Sequence, residues 1–180
     1  MALGELRNYL NEKSSLTTLA ECSFDSDGKK ESLVQNRDIK VYNFDNVMED
    51  LIKDKDFMRC SVPCSPDTLY MDSDNNLFFI EFKNSYFTDI KKYHLRAKLC
   101  EALLMLKLRF NLSEDNVNEI TYIVVHKKNP KNPAFHKFQN SRCPNDLKIL
   151  TKFFKVKVEI YDSLEFNGKC YSILGRYKKI

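Results

Sequence analysis

Ser65-Pro66-Asp67-Thr68-Leu69-Tyr70-Met71, the polar run Asp72-Ser73-Asp74-Asn75-Asn76, and Leu77-Phe78-Phe79-Ile80-Glu81-Phe82-Lys83 decide how this chain is read. The last run has the apolar, aromatic composition of a buried strand, yet it carries a carboxylate and an ammonium. A charge taken out of water is costly unless it is paired or binds a metal. Residues two apart on a strand share a face, so Glu81 and Lys83 point the same way. Leu77 and Phe79 share that face, while Phe78, Ile80 and Phe82 fill the other. Both faces are apolar apart from the two charges. A site is therefore the first reading, and the solvated face of an edge strand is the second.

The residues between the two runs tolerate tight backbone geometry, so residues 67–71 and 77–83 read as the strands of a hairpin. A turn centred on Asp74 sets Asp67 directly across from Glu81, with Cβ atoms about 5 Å apart. A slip of one residue would send Asp67 to the opposite face. Two carboxylates that close repel, and one is forced to hold a proton unless a cation stands between them. Mg²⁺ suits such a place, since it takes a few carboxylate oxygens together with waters and phosphate oxygens. Lys83, next along the face, could hold an attacking water or balance charge in a phosphoryl transition state.

Outward from the hairpin, Leu3, Leu6 and Leu10 have helical spacing, which predicts a helix over residues 2–11. Residues 22–38 are polar and read as a loop. Val47, Met48, Leu51 and Ile52 predict a helix over 45–53, with Asn46 and Glu49 at the offset of a capping box. Leu95, Leu99, Ala102, Leu106 and Phe110 form the apolar stripe of a long helix, about 90–110. A strand over 121–125, a loop over 129–133, a helix over 145–155 and a strand over 156–161 follow. The last segment reads as an added hairpin strand through Cys170-Tyr-Ser-Ile-Leu174. The order of helix, hairpin, helix, strand, helix, strand is that of an α/β protein with a central mixed sheet flanked by helices.

The chain has 180 residues, enough for one domain with a sizeable core. Its four glycines and five prolines argue against low complexity. A net charge of +4 permits a polyanionic partner without demanding one. No apolar run approaches the roughly 20 residues of a membrane span, and residues 1–7 lack a signal layout. The expected compartment is the cytoplasm, with the six cysteines as reduced thiols. Cys60 and Cys64 are four apart, but neither a second close pair nor a His pair completes a zinc site.

Pro66-Asp67, then Glu81-Phe82-Lys83 after a hairpin, resembles the PD-(D/E)xK nuclease superfamily. The likeness covers about residues 41–162, leaving an N-terminal helical extension and a C-terminal strand addition. The run Phe78–Asn84 looks like small bacterial or phage-encoded members. The resemblance implies a restriction-endonuclease-like core and Mg²⁺- or Mn²⁺-dependent cleavage of nucleic acid, DNA favoured over RNA. Asp67 and Glu81 would match the metal ligands and Lys83 the catalytic lysine. A further acid often comes from the preceding helix, where Glu49 fits best, with Asp50 and Asp45 behind it; a capping role for Glu49 is equally open. Many nucleases of this fold act as dimers, so a homodimer is compatible with the reading.

The following helix often carries a polar residue that faces the site. His94 and Lys98, four apart, could contact phosphate there, or line a solvated flank. Lys127 and Lys128, with Lys131, Lys137 and Arg142 and the rings of Phe135 and Phe138, could track a nucleic-acid backbone. A solvated loop is the other reading of that cluster. His126 and His136 have no nucleophilic Ser or Cys at motif spacing, and no glycine-rich phosphate loop is present. The alternative function is a catalytically silent nuclease-fold protein, a regulatory subunit or an antitoxin- or immunity-like partner.

Overall fold

The hairpin forms in the expected register. In the computed structural model, which describes residues 2–13, 16–26, 28, 30–53, 61–112, 117, 119–129 and 145–174, Thr68 pairs with Ile80, Leu69 with Phe79, Tyr70 with Phe78 and Met71 with Leu77. The ladder joins β3 (Thr68–Met71) to β4 (Leu77–Lys83). The turn closes through Asp72, whose carboxylate accepts the backbone N–H groups of Asp74 and Asn76. Asn75 takes the left-handed conformation, φ 63°, which asparagine tolerates. Arg7 clamps the turn from outside, donating to the Asp72 carbonyl at 2.8 Å.

Six strands form one sheet in sequence order: β1 (Leu16–Thr18), β2 (Lys40–Asn43), β3, β4, β5 (Ile120–His126) and β6 (Lys157–Asp162). The strands from β1 to β4 pair antiparallel, and β5 and β6 continue parallel to β4. The change of sense falls on β4, which is covered on both faces and flanked on both edges. That position accounts for its nearly unbroken apolar sequence.

Leu69, Leu77, Phe79, Tyr122, Val124 and Ile160 pack one face against α1 (Ala2–Glu12), α3 (Phe44–Lys53), α4 (Lys92–Phe110) and α5 (Asn145–Phe154). Phe78, Ile80, Phe82, Ile123 and Val125 pack the other against α2 (Leu19–Cys22) and α6 (Ser163–Ile173). Every residue of the predicted stripe, Leu95 to Phe110, is buried. Among the described residues, no helix is long and apolar enough to cross a membrane.

Two expectations are corrected, and two short strands are added. Residues 170–174 add no strand: Cys170 lies in α6, whose N-terminus is capped by the Asp162 carboxylate accepting from Leu164 and Glu165. Phe166, Cys170 and Leu174 recur every four residues and are buried, a helical period that a five-residue window conceals. Asn46 is inside α3 and does not cap it; its N–H donates to the Asn43 side chain, so Asn43 is the cap and no Asn46–Glu49 box forms. The stretch before residue 45 adds β1 and β2, which are too short to show a period. Residues 22–38 otherwise remain irregular, with an isolated bridge between Phe24 and Ser32.

Candidate functional site

The site forms where β3 begins and β4 ends. Extending the ladder by one residue past Thr68 and Ile80 brings Asp67 opposite Glu81. The main chain of Asp67 is fixed from α3, since its carbonyl accepts the N–H of Phe44 at 3.1 Å. One carboxylate oxygen, Oδ2, accepts the N–H of Phe82 at 2.6 Å, which turns the other oxygen toward Glu81 and α4.

Glu81 is fully buried. It survives there because two ammoniums meet it: Lys83 Nζ at 2.5 Å and Lys98 Nζ at 2.8 Å, both on Oε1. Lys98 Nζ also reaches Glu81 Oε2 at 3.0 Å and Asp67 Oδ1 at 3.2 Å. A cation therefore stands between the two carboxylates, as their proximity demanded, and it is the ammonium of a residue on α4. Lys98 is three residues after Leu95 and four before Ala102, both buried, so the stripe itself points its stem at the sheet. That spacing is the signal by which the sequence could have revealed its place.

The electrostatics follow from burial. Asp67 is pushed up to about 7 by desolvation and by the Glu81 charge, against the pull of Lys98. Burial alone would lower the Lys98 ammonium, but Asp67 and Glu81 together raise it. Tyr122, on β5 beside Phe79, is fully buried. Burial and the charges of Glu81 and Asp67 hold its phenol protonated, well above its ordinary value, and its hydroxyl has no hydrogen-bond partner among the described residues.

A polar cleft of about 500 Å³ opens beside these groups, lined by Asp67, Lys83, Asn43, Asp45, Asp25 and Cys22 among others. Lys83 keeps 32% of its side chain exposed, so its head stands at the boundary between Glu81 and this cleft. Asp45 contributes to the wall, its carboxylate accepting from the Ser65 hydroxyl. Asp25 accepts from the Asn84 amide across the opening. Burial, with the Asp67 charge adding to it, pushes the Cys22 thiol up to about 11. Cys22 is thus a poor nucleophile at neutral pH.

The other predicted residues are placed as follows. Glu49 is exposed on α3 and is not among the residues lining the cleft. Asp50 makes a surface ion pair with Lys53. His94 is exposed on the first turn of α4, its ring against that of Tyr93. Lys98 joins the carboxylates and does not form a solvated flank. Lys127 is half-buried and its N–H bonds to the Lys83 and Ser85 carbonyls, while Lys128 is exposed. His126 is buried in β5, with Nδ1 2.9 Å from the Lys127 carbonyl oxygen, which makes Nδ1 the protonated nitrogen. Lys131, Phe135, His136, Lys137, Phe138, Arg142, Cys60 and Cys143 lie outside the described residues.

The donor set fits a hard divalent cation. Two carboxylates converge on one point, and the adjoining cleft leaves room for water and phosphate oxygens. Among the described residues no third Asp, Glu, His or Cys completes a metal-binding cluster. Further ligands would be water, main-chain oxygen or substrate. Compared with known proteins, the chain matches no family model, no curated protein and no solved structure.

Proposed function

We propose that this chain is a metal-dependent nuclease of the restriction-endonuclease-like, PD-(D/E)xK type that hydrolyses phosphodiester bonds of nucleic acid, DNA in the first place. The observation that carries the proposal is the convergence of Asp67 and Lys83, which line a polar cleft, with Glu81 buried just behind them. The succession of α3, the β3–β4 hairpin, α4 and a parallel β5 around the site supports the same reading.

In this reading Asp67 and Glu81 hold Mg²⁺ or Mn²⁺. Bound there, such an ion would supply an activated water and charge neutralisation for the phosphate oxygens. The Phe82 N–H holds the Asp67 carboxylate in one orientation, so its other oxygen is presented without reorganisation. Lys83 keeps its ammonium at the cleft boundary, where it orients the water or meets charge developing on the phosphorus oxygens. Asn43 and Asn84 line the same opening and can donate to a phosphate or sugar oxygen.

The test is cleavage of labelled single- and double-stranded DNA and RNA with Mg²⁺ or Mn²⁺. The expected result is cleavage that chelator abolishes and that Lys83→Ala reduces at least a hundredfold, about the worth of one oriented charged group in a transition state. Cleavage that survives chelator would overturn the metal-dependent mechanism.

One observation favours a second reading, a catalytically silent binding or regulatory protein. The carboxylates are already neutralised by Lys83 and Lys98 without any metal. A silent protein of this kind would give no metal-dependent cleavage and no heat of Mn²⁺ binding.

A further inference from the structure

Two carboxylates and two ammoniums meet at this site, and their formal charges cancel. A divalent cation added to the set would leave a buried excess of two positive charges, which a low-dielectric interior resists. Either an ammonium leaves or an anion arrives. The two lysines are not equivalent in this respect. Of the two carboxylates Lys83 touches Glu81, whereas Lys98 stands between Asp67 Oδ1 and both oxygens of Glu81, at 3.2, 2.8 and 3.0 Å. A cation bridging the carboxylates needs that same place.

We infer that the Lys98 ammonium is a built-in counter-ion competing with the divalent cation for Asp67 and Glu81, so that metal enters only by displacing it. This inference rests on the metal-dependent reading of the site. Lys98 has the means to move. It is carried on a long unbranched stem from the second turn of a 19-residue helix, and its side chain is 22% exposed. The side chain can thus swing without α4 shifting. The displaced charge is compensated when a phosphate arrives, which makes metal binding weak for the free protein and stronger once an anionic substrate is in the cleft. The arrangement also protects the apo protein, since the buried carboxylates never face each other bare.

The experiment is Mn²⁺ titration by calorimetry on the full chain, wild type against Lys98→Met and Lys98→Arg, without substrate. Lys98→Met keeps the apolar stem and removes the competitor, so Mn²⁺ should bind about tenfold or more tighter than to wild type. Lys98→Arg keeps an always-charged fork that grips carboxylates in two places, so Mn²⁺ should bind more weakly than to wild type. Unfolding midpoints supply a second readout. In chelator Lys98→Met should melt below wild type, and saturating Mn²⁺ should raise its midpoint by more than it raises that of wild type.

If wild type binds Mn²⁺ and Lys98→Met binds it equally or more weakly, the competition is refuted and the nuclease reading stands. If neither protein binds Mn²⁺, the carboxylate pair is no metal site and both ideas fall. Binding by Lys98→Met alone would uphold the competition, and a wild type that then also fails to cleave nucleic acid in Mn²⁺ would make Lys98 a permanent counter-ion and remove the nuclease reading. Should Lys98→Met fail to fold in chelator, the direction of the Lys98→Arg shift decides: binding as tight as wild type or tighter overturns the inference.

Discussion

Asp67 shows how one buried side chain couples stability to pH. Its folded value of about 7 stands above the ordinary carboxyl value of 3.8. Between these values the folded chain keeps a proton that the unfolded chain has lost. Stability is therefore greatest below about pH 4 for this group and declines as the pH rises to about 7, with no further change beyond. In chelator, wild type should lose on the order of 4 kcal/mol at most across that window relative to Asp67→Asn, which has nothing to titrate there. Urea midpoints at several pH values measure it; parallel profiles for the two proteins would show that Asp67 titrates normally. Glu81→Ala tests the neighbouring side chain. Repulsion from Asp67, acting alone, would make the loss of Glu81 stabilising in chelator. With Lys83 and Lys98 both resting on Glu81, its removal instead leaves a half-buried ammonium short of charge. Glu81→Ala should lower apo stability by about 3 kcal/mol, and a variant at least as stable as wild type in chelator would refute that role. The Asp67–Glu81 pair was legible because strand alternation and turn chemistry together fix a register. Lys98 was only half legible. Its helical face could be read, but which end of the sheet that face meets depends on how α4 crosses from β4 to β5.

Elements of the fold were legible in proportion to their length and period. The β3–β4 hairpin, α4, β5 and α5 each carry enough periodic residues to declare themselves. β1 and β2, with three and four residues, exist because β3 offers them an edge, a tertiary cause invisible in a short window. The start of α3 is the element boundary with most bearing on the site. Asn43 accepts the N–H of Asn46 at 3.1 Å, and the next residue, Phe44, donates its own N–H to the Asp67 carbonyl. The cap thus also steadies the strand that presents Asp67. Asn43→Ala should cost about 1 kcal/mol, and Asn43→Asp, which still accepts the bond, should recover most of it. Urea unfolding of the two variants checks this. An equal loss in both would mean that Asn43 matters for something its carbonyl oxygen alone does not supply.

At the scale of the molecule, stability and chemistry occupy different places. The sheet is buried on both faces, and the second face depends on α6, where Phe166 is wholly buried against the cluster that includes Ile123 and Val125. The Asp67–Glu81 pair lies on the opposite face, at the end of β4. Emptying the Phe166 position should cost about 3–5 kcal/mol in Phe166→Ala, a large fraction of the total stability of a domain this size. Mn²⁺ affinity should be unchanged, because nothing at the carboxylates moves. Lys83→Ala should behave in the opposite way. Its side chain is a third exposed, and Lys98 stays on both Glu81 oxygens, so the stability cost should be about 1 kcal/mol or less. Its effect should fall on the rate of cleavage. Unfolding midpoints, Mn²⁺ titration and cleavage rates on the same two proteins give a crossed pattern if site and core are separate. A large stability loss in Lys83→Ala with no change in rate would make the Lys83–Glu81 pair part of the scaffold and leave the cleft without its proposed catalytic group.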